Sequence, residues 1–190
     1  MCGICGVWNN RDQISISNDT IKHMTDALAH RGPDDSGYYF SHPNGLALGF
    51  RRLAIIDLSS AGHQPMGNED DTIWIVFNGE IYNFAELRSQ LQRAGHIFKS
   101  KSDTETIIHG YEEWGLQVVE RLRGMFGFAM WDAKRKRLFL ARDHTGIKPL
   151  FYYWDGRTFA FASEIKAFWA LQGLDRSLDR SAIFDYLTYL

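Results

Sequence analysis

The chain has 190 residues, 45% of them hydrophobic and 14% aromatic, which supports one domain with a sizeable core and argues against disorder. A formal charge of -2 leaves no electrostatic footprint for DNA, RNA or an anionic membrane, and no apolar run approaches membrane-spanning length. Two cysteines three apart exclude a disulfide framework, and no basic-then-apolar leader precedes them, so the expected setting is a reducing cytoplasm.

Ile4 to Trp8 reads as a first strand, closed by a polar turn at Asn9-Asn10-Arg11-Asp12. Asn18 or Asp19 can cap a helix through about Ala29, with Ile21, Met24 and Leu28 on one face. Arg31 to Gly37 holds two glycines, a proline and two aspartates, the composition of a tight ordered loop. Leu46 to Arg52 is a predicted strand that delivers Arg52 to the apolar run Leu53-Ala54-Ile55-Ile56 and a turn at Asp57 to Ser60. An arginine in that position is either a surface strand end or a fork aimed at a carboxylate.

Ile73 to Phe77 is a continuous apolar run expected to be a buried strand stopping at Asn78-Gly79-Glu80, with a helix over Ile81 to Gln92. A strand end there would present the side-chain donors of Asn78, while Gly79 would let backbone approach a ligand closely. Those are the parts of an oxyanion hole. Ser102-Asp103-Thr104-Glu105 has the form of a capping box before an apolar-striped helix, and leaves Asp103 available to an ammonium group.

Met125 to Trp131 and Leu138 to Ala141 read as paired strands around the basic turn Lys134 to Arg137, a solvated hairpin tip rather than a nucleic-acid patch. A loop over Arg142 to Pro149 leads to a second hairpin, Leu150 to Tyr153 with Thr158 to Ala162. Within that loop, His144 beside Asp143 does not make a triad. Glu164 to Leu171 is a predicted helix, Gln172 to Asp179 is the loosest stretch, and Ser181 can cap a last helix to Leu190.

The chemistry points to Cys2. Removal of Met1 would give it a thiol and a free α-amine together, with pKa values of about 8.5 and roughly 7.7 to 8.0. Such an amine can take the thiol's proton during attack and return it to a departing group. A zinc or redox reading of Cys2-Gly3-Ile4-Cys5 is weak: no second C-x-x-C exists, the seven histidines stand singly, and the motif opens the chain instead of following a strand. Cys5 is expected to be a packed strand residue.

With Cys2, Arg52, Asn78-Gly79-Glu80 and Asp103 in view, the sequence resembles the class II, N-terminal nucleophile glutamine amidotransferases, and most of all the glutaminase domain of glutamine-hydrolysing asparagine synthetase. The matching stretches are Met1 to Ile4, Arg31-Gly32-Pro33-Asp34, Arg52-Leu53, Phe77 to Asn83, Ser102 to Glu105, Gly124-Met125-Phe126, Arg142 to Leu150 and Ser163 to Ala167. The resemblance implies an α+β fold: a four-layer α/β/β/α sandwich with two mostly antiparallel sheets and helices outside. It implies a glutaminase domain over 1–171, then a connector over 172–190 that begins a helix.

The resemblance also implies L-glutamine as substrate and assigns roles. Arg52 would grip its α-carboxylate, Asp103 and Glu80 would hold its α-ammonium, and Leu53 with main chain at Ile55 and Ile56 would complete the cradle. Cys2 would be the nucleophile, with Asn78 and the N–H of Gly79 holding the oxyanion. No metal or cofactor is expected in this domain. The Ser-Gly-Gly-Leu-Asp-Ser loop of the ATP-using half does not occur before Leu190, so ATP and Mg belong to a synthetase domain or subunit that accepts the ammonia. A homodimer is left open. The competing reading is a catalytically silent regulatory or binding module of the same fold.

Overall fold

The computed structural model describes residues 1–9, 16–55 and 57–189. Ile56, most of the polar turn after Asn9, and Leu190 lie outside the described residues. The strands are β1 (Gly3–Asn9), β2 (Asp35–Ser41), β3 (Leu46–Arg52), β4 (Met66–Gly67), β5 (Ile73–Ile81), β6 (Gly124–Asp132), β7 (Arg137–Arg142), β8 (Phe151–Trp154) and β9 (Thr158–Ala162). The helices are α1 (Asn18–Asp26), α2 (Phe84–Arg93), α3 (Asp103–Trp114), α4 (Val118–Arg121) and α5 (Arg180–Tyr189). One sheet runs β2-β3-β1-β9-β8 and the other β4-β5-β6-β7, with every neighbouring pair antiparallel.

Strand side chains alternate between faces, so each strand feeds two different cores. In β1, Ile4 enters the space between the sheets while Cys5 and Val7 face α1 and a 3-10 turn at Ile165–Ala170. Leu46, Leu48 and Phe50 of β3 join Ile4 inside, where they meet Val76, Ala129 and Trp131 of the second sheet. The opposite set on β5 and β6, Ile73, Ile75, Phe77, Phe126, Phe128 and Met130, packs under α2 and α3 through Leu87, Ile107, Ile108 and Tyr111. Three stacked apolar layers require four layers of structure, which is the α/β/β/α sandwich expected from the resemblance.

Several boundaries differ from expectation. β5 does not stop at Asn78: Asn78 to Ile81 pair with Gly127 to Gly124, so a full ladder outweighs the local Asn-Gly turn signal. α2 accordingly begins at Phe84 instead of Ile81. Asp35 to Ser41 forms an edge strand on β3 where a loop was expected through Gly37, because pairing with β3 supplies backbone partners that local sequence does not advertise. Ser17, not Asn18 or Asp19, caps α1, accepting from Asp19 N–H at 3.2 Å.

Ser102 does cap α3, accepting from Thr104 N–H at 3.1 Å, but Glu105 does not close the box onto it. Its carboxylate instead accepts from Lys99 N–H at 2.7 Å and Ser100 N–H at 2.8 Å, tying down the loop ahead of the helix. The expected helix over Glu164 to Leu171 is the 3-10 turn. α5 leaves Phe184, Tyr186, Leu187 and Tyr189 exposed.

Trp131 is fully buried between the sheets, and its indole N–H meets no acceptor among the described residues. Trp131→Ala should therefore lower stability by about 3–5 kcal/mol, roughly 10 °C in thermal midpoint for a chain of this size. Trp131→Phe, which removes the unpaired donor and keeps most of the ring, should cost far less; thermal denaturation of both checks this.

Candidate active site

The register Gly3↔Arg51 places the residue before β1 beside the end of β3, so Cys2 and Arg52 lie side by side. Both continue the row that points between the sheets: Cys2 after Ile4, Arg52 after Phe50. On the facing sheet the same row runs Val76 then Asn78. Where this row leaves the apolar core it opens into a pocket of about 90 Å³, lined by Cys2, Arg52, Leu53, Ile55, Asn78, Gly79, Glu80 and Asp103, together with Gln64 and Lys148. Every site residue anticipated from sequence is in that lining except Ile56, which lies outside the described residues.

Cys2 is half-buried. Its sulfur accepts from Leu53 N–H at 3.4 Å and donates to the Leu53 carbonyl at 3.6 Å. Burial pushes the thiol pKa up, opposed by the Leu53 N–H and by positive charge at the amino terminus and Arg52. The thiol is therefore the resting form and needs a base to react. Cys5, three residues along an extended strand, faces the opposite way, buried against Thr25 at 3.4 Å, with its pKa pushed up by burial to about 12. One metal or one disulfide cannot use both cysteines, which disposes of the C-x-x-C reading.

Asn78 is 1% exposed, and its Nδ2 has no acceptor among the described residues. A buried amide donor left unpaired is costly unless something else accepts from it. The ladder supplies a second such donor. Alternation turns the N–H groups of Phe77, Gly79 and Ile81 away from β6, and the outer two are taken by Gln64 Oε1 at 2.7 Å and Asp103 Oδ2 at 2.9 Å. Among the described residues no side chain takes the one between them, Gly79. The glycine itself answers to β6 rather than to a ligand: a Cβ there would stand 2.4 Å from the Met125 carbonyl oxygen.

The pocket also carries charge of both signs. Arg52 is 8% exposed and is steered by two loop carbonyls, donating to Ser59 at 2.9 Å and, in a short contact, to Asp57. That uses two of its five N–H donors and leaves an oriented fork. Gly62 lets the loop close over it, since a Cβ would lie 2.3 Å from an Arg52 nitrogen. The surface-end reading of Arg52 is thereby excluded. Asp103, in the first turn of α3, has its pKa raised chiefly by burial and also by the neighbouring Glu80, against the pull of the Ile81 N–H.

Residues the sequence offered only as a turn hold this geometry. Arg31 is buried and donates to the Cys2 carbonyl at 2.9 Å and to Glu164 at 2.9 Å, while Asp34 accepts from Ala54 N–H at 2.9 Å. Gln64, which sequence reading passed over, bridges Phe77 N–H and Thr104 Oγ at 3.2 Å and so links β5 to α3. Lys148 is buried against the pocket, with Nζ 3.3 Å from Met1 Sδ. Its place on a turn organised by Asp143, which accepts from Phe126, Ile147 and Lys148 N–H groups, gives the loop before β8 its shape. Asp143 is thus engaged by these N–H groups and by the Thr145 hydroxyl at 3.1 Å.

Three comparisons bear on this arrangement. A family model described as glutamine amidotransferase domain matches residues 1–190. The chain is 43% identical over 185 residues to asparagine synthetase [glutamine-hydrolyzing] 3 of Bacillus subtilis, covering 96% of this chain and 30% of that protein. It is 38% identical to putative asparagine synthetase [glutamine-hydrolyzing] 2 of Methanocaldococcus jannaschii, covering 93% of this chain and 36% of the relative. The chain therefore spans about a third of the length of these relatives. Among solved structures, glutamine phosphoribosylpyrophosphate amidotransferase of B. subtilis superposes with a TM-score of 0.73 at 22% identity, over 89% of this chain and 43% of the other, and so shares the fold. With the family model matched end to end, and relatives whose names all carry glutamine hydrolysis, the chain belongs to the glutamine amidotransferase domain family.

Proposed function

We propose that this domain hydrolyses L-glutamine to glutamate and ammonia through a thioester on Cys2. The observation that carries the reading is the meeting, in one pocket, of a thiol, the Asn78 amide donor that has no partner among the described residues, the Gly79 N–H that no side chain among them takes, a steered guanidinium at Arg52 and a buried carboxylate at Asp103. Positive and negative groups at one end suit a zwitterionic amino acid: Arg52 takes its α-carboxylate, Asp103 with Glu80 its α-ammonium, and the Leu53 and Ile55 main chain lines the remaining side. The side-chain amide then lies against Cys2.

Cleavage of the Met1–Cys2 bond frees the α-amine, which takes the thiol proton as sulfur bonds to the amide carbon. The carbonyl oxygen becomes an oxyanion that accepts from Asn78 Nδ2–H and Gly79 N–H, donors already in place before the reaction. Collapse breaks the carbon–nitrogen bond, the α-ammonium protonates the leaving group, and ammonia departs. Water then attacks the thioester, with the same amine as base, and glutamate leaves. We further propose that the ammonia goes to a synthetase domain or subunit for amidation of the kind the relatives are named for, in a cytoplasmic setting. No helix among the described residues is long and apolar enough to cross a membrane.

Cys2→Ala should abolish ammonia release in a protein of unchanged thermal midpoint; retained turnover would remove the thiol from the reaction, and retained glutamine binding with no turnover even in the parent would indicate a silent module. Asn78→Ala should lower kcat by about 10²- to 10³-fold, roughly 3 kcal/mol of transition-state stabilisation, with little change in KM.

Asp103 must be ionised to hold an ammonium, and its pKa is raised, so kcat/KM should fall on the acid side at a pH above the ordinary carboxylate range. That limb should disappear in Asp103→Asn, which should also show a raised KM. A carboxyl whose folded pKa is raised holds its proton more tightly folded than unfolded, so ionisation costs stability as pH rises through the folded value. Asp103→Asn should accordingly raise the thermal midpoint at pH 7 and leave it little changed near pH 3.

A further inference from the structure

Away from the pocket, the fold brings together two histidines that are far apart in sequence. His96 follows the end of α2, and His109 with Glu112 lies on the second half of α3. Glu112 Oε2 is 2.8 Å from His109 Nδ1 and 3.5 Å from His96 Nδ1, and one ligand atom from each of the three residues lies within 4.8 Å of the other two. Two ligands each about 2.1 Å from a four-coordinate zinc stand roughly 3.4 Å apart, so the two Glu112 spacings are close to those of a coordination edge.

The outer side of the His96 ring is arranged as that of a metal-bound imidazole usually is, with the second nitrogen held by a carboxylate. His96 Nε2 meets Glu113 at 3.3 Å, and the buried His109 Nε2 faces Glu69 at 3.6 Å and Glu105 at 3.7 Å. At those two distances it makes no hydrogen bond. Glu112 is steered too: Asn68 Nδ2 donates to its Oε1 at 2.8 Å, which leaves Oε2 for the two Nδ1 atoms. Four carboxylates, Glu69, Glu105, Glu112 and Glu113, surround the two imidazoles.

We propose that His96 Nδ1, His109 Nδ1 and Glu112 Oε2 form a site for one divalent transition metal of the zinc class, separate from the cysteine pocket. Mixed imidazole and carboxylate donors suit zinc and its neighbours rather than magnesium or calcium. Bound there, the ion joins the end of α2 to α3, the helix whose first turn carries Asp103.

The test uses the purified Cys2→Ala protein, so that the pocket thiol cannot compete, stripped with a chelator and titrated with Zn²⁺ by calorimetry and with Co²⁺ by visible absorption. One equivalent of either metal should bind, Co²⁺ should show the intense ligand-field bands of a four-coordinate ion, and Zn²⁺ should raise the thermal midpoint. His96→Ala and Glu112→Gln should each weaken Zn²⁺ at least ~10-fold, Glu113→Gln should weaken it roughly 10-fold through the second nitrogen of His96, and His42→Ala should change nothing. No binding at stoichiometric metal, or binding indifferent to His96→Ala and Glu112→Gln, would overturn the site and leave the cluster as an ion-paired clasp between the two helices.

Discussion

The antiparallel pairing of β1 with β3 is the constraint on which the rest of the site depends. Its register sets Cys2 beside Arg52, and because strand side chains repeat every two residues, that one alignment decides that both point between the sheets. Slipping it by one residue would send the sulfur to the α1 side, where Cys5 sits inert. The facing sheet obeys the same rule, so the row that is apolar at Val76 and Trp131 becomes chemical at Asn78, where the core ends. The pocket is thus the mouth of the inter-sheet core, floored by strand ends and rimmed by the loops after β3 and before β8 and by the first turn of α3.

Around that mouth the molecule leaves polar groups in arrangements that cost stability when no ligand is bound. Asn78 holds a buried amide donor with no acceptor among the described residues, Asp103 is an acid in a place that disfavours its charge, and the Gly79 N–H sits between two neighbours that have been satisfied by side chains. A structure selected for stability alone would remove all three. Their coexistence in one small space is physically intelligible if a ligand with an anionic oxygen and an ammonium completes them.

The supports are as informative as the reactive groups. Arg31 holds the Cys2 carbonyl, Asp34 holds the segment after Arg52, Gln64 ties β5 to α3, and Glu105 pins the loop that precedes Asp103. Each fixes a segment of the rim through a hydrogen bond, from the buried Gln64 link to the exposed one at Asp34. The site is therefore held by cross-links at several points around its rim, and α3 in particular is fixed at both halves, by Glu105 near its start and by the His109 cluster further along.

From the residues alone, the pattern of apolar runs located most of the strands, and the short motifs around Cys2, Arg52, Asn78 and Asp103 carried the family resemblance that implied the candidate chemistry, because residue type and spacing along the chain are local properties. The edge strand β2, the continuation of β5 through Asn78-Gly79, and the roles of Arg31 and Gln64 were invisible there, since each depends on a partner distant in sequence that overrides a local turn preference. The approach of His96 to His109 belongs to the same class. What the chain itself determined was which groups exist and which face of a strand each one shares; what only the tertiary structure decided was which of those faces meet, because that follows from strand register and layer packing, which no window of sequence contains.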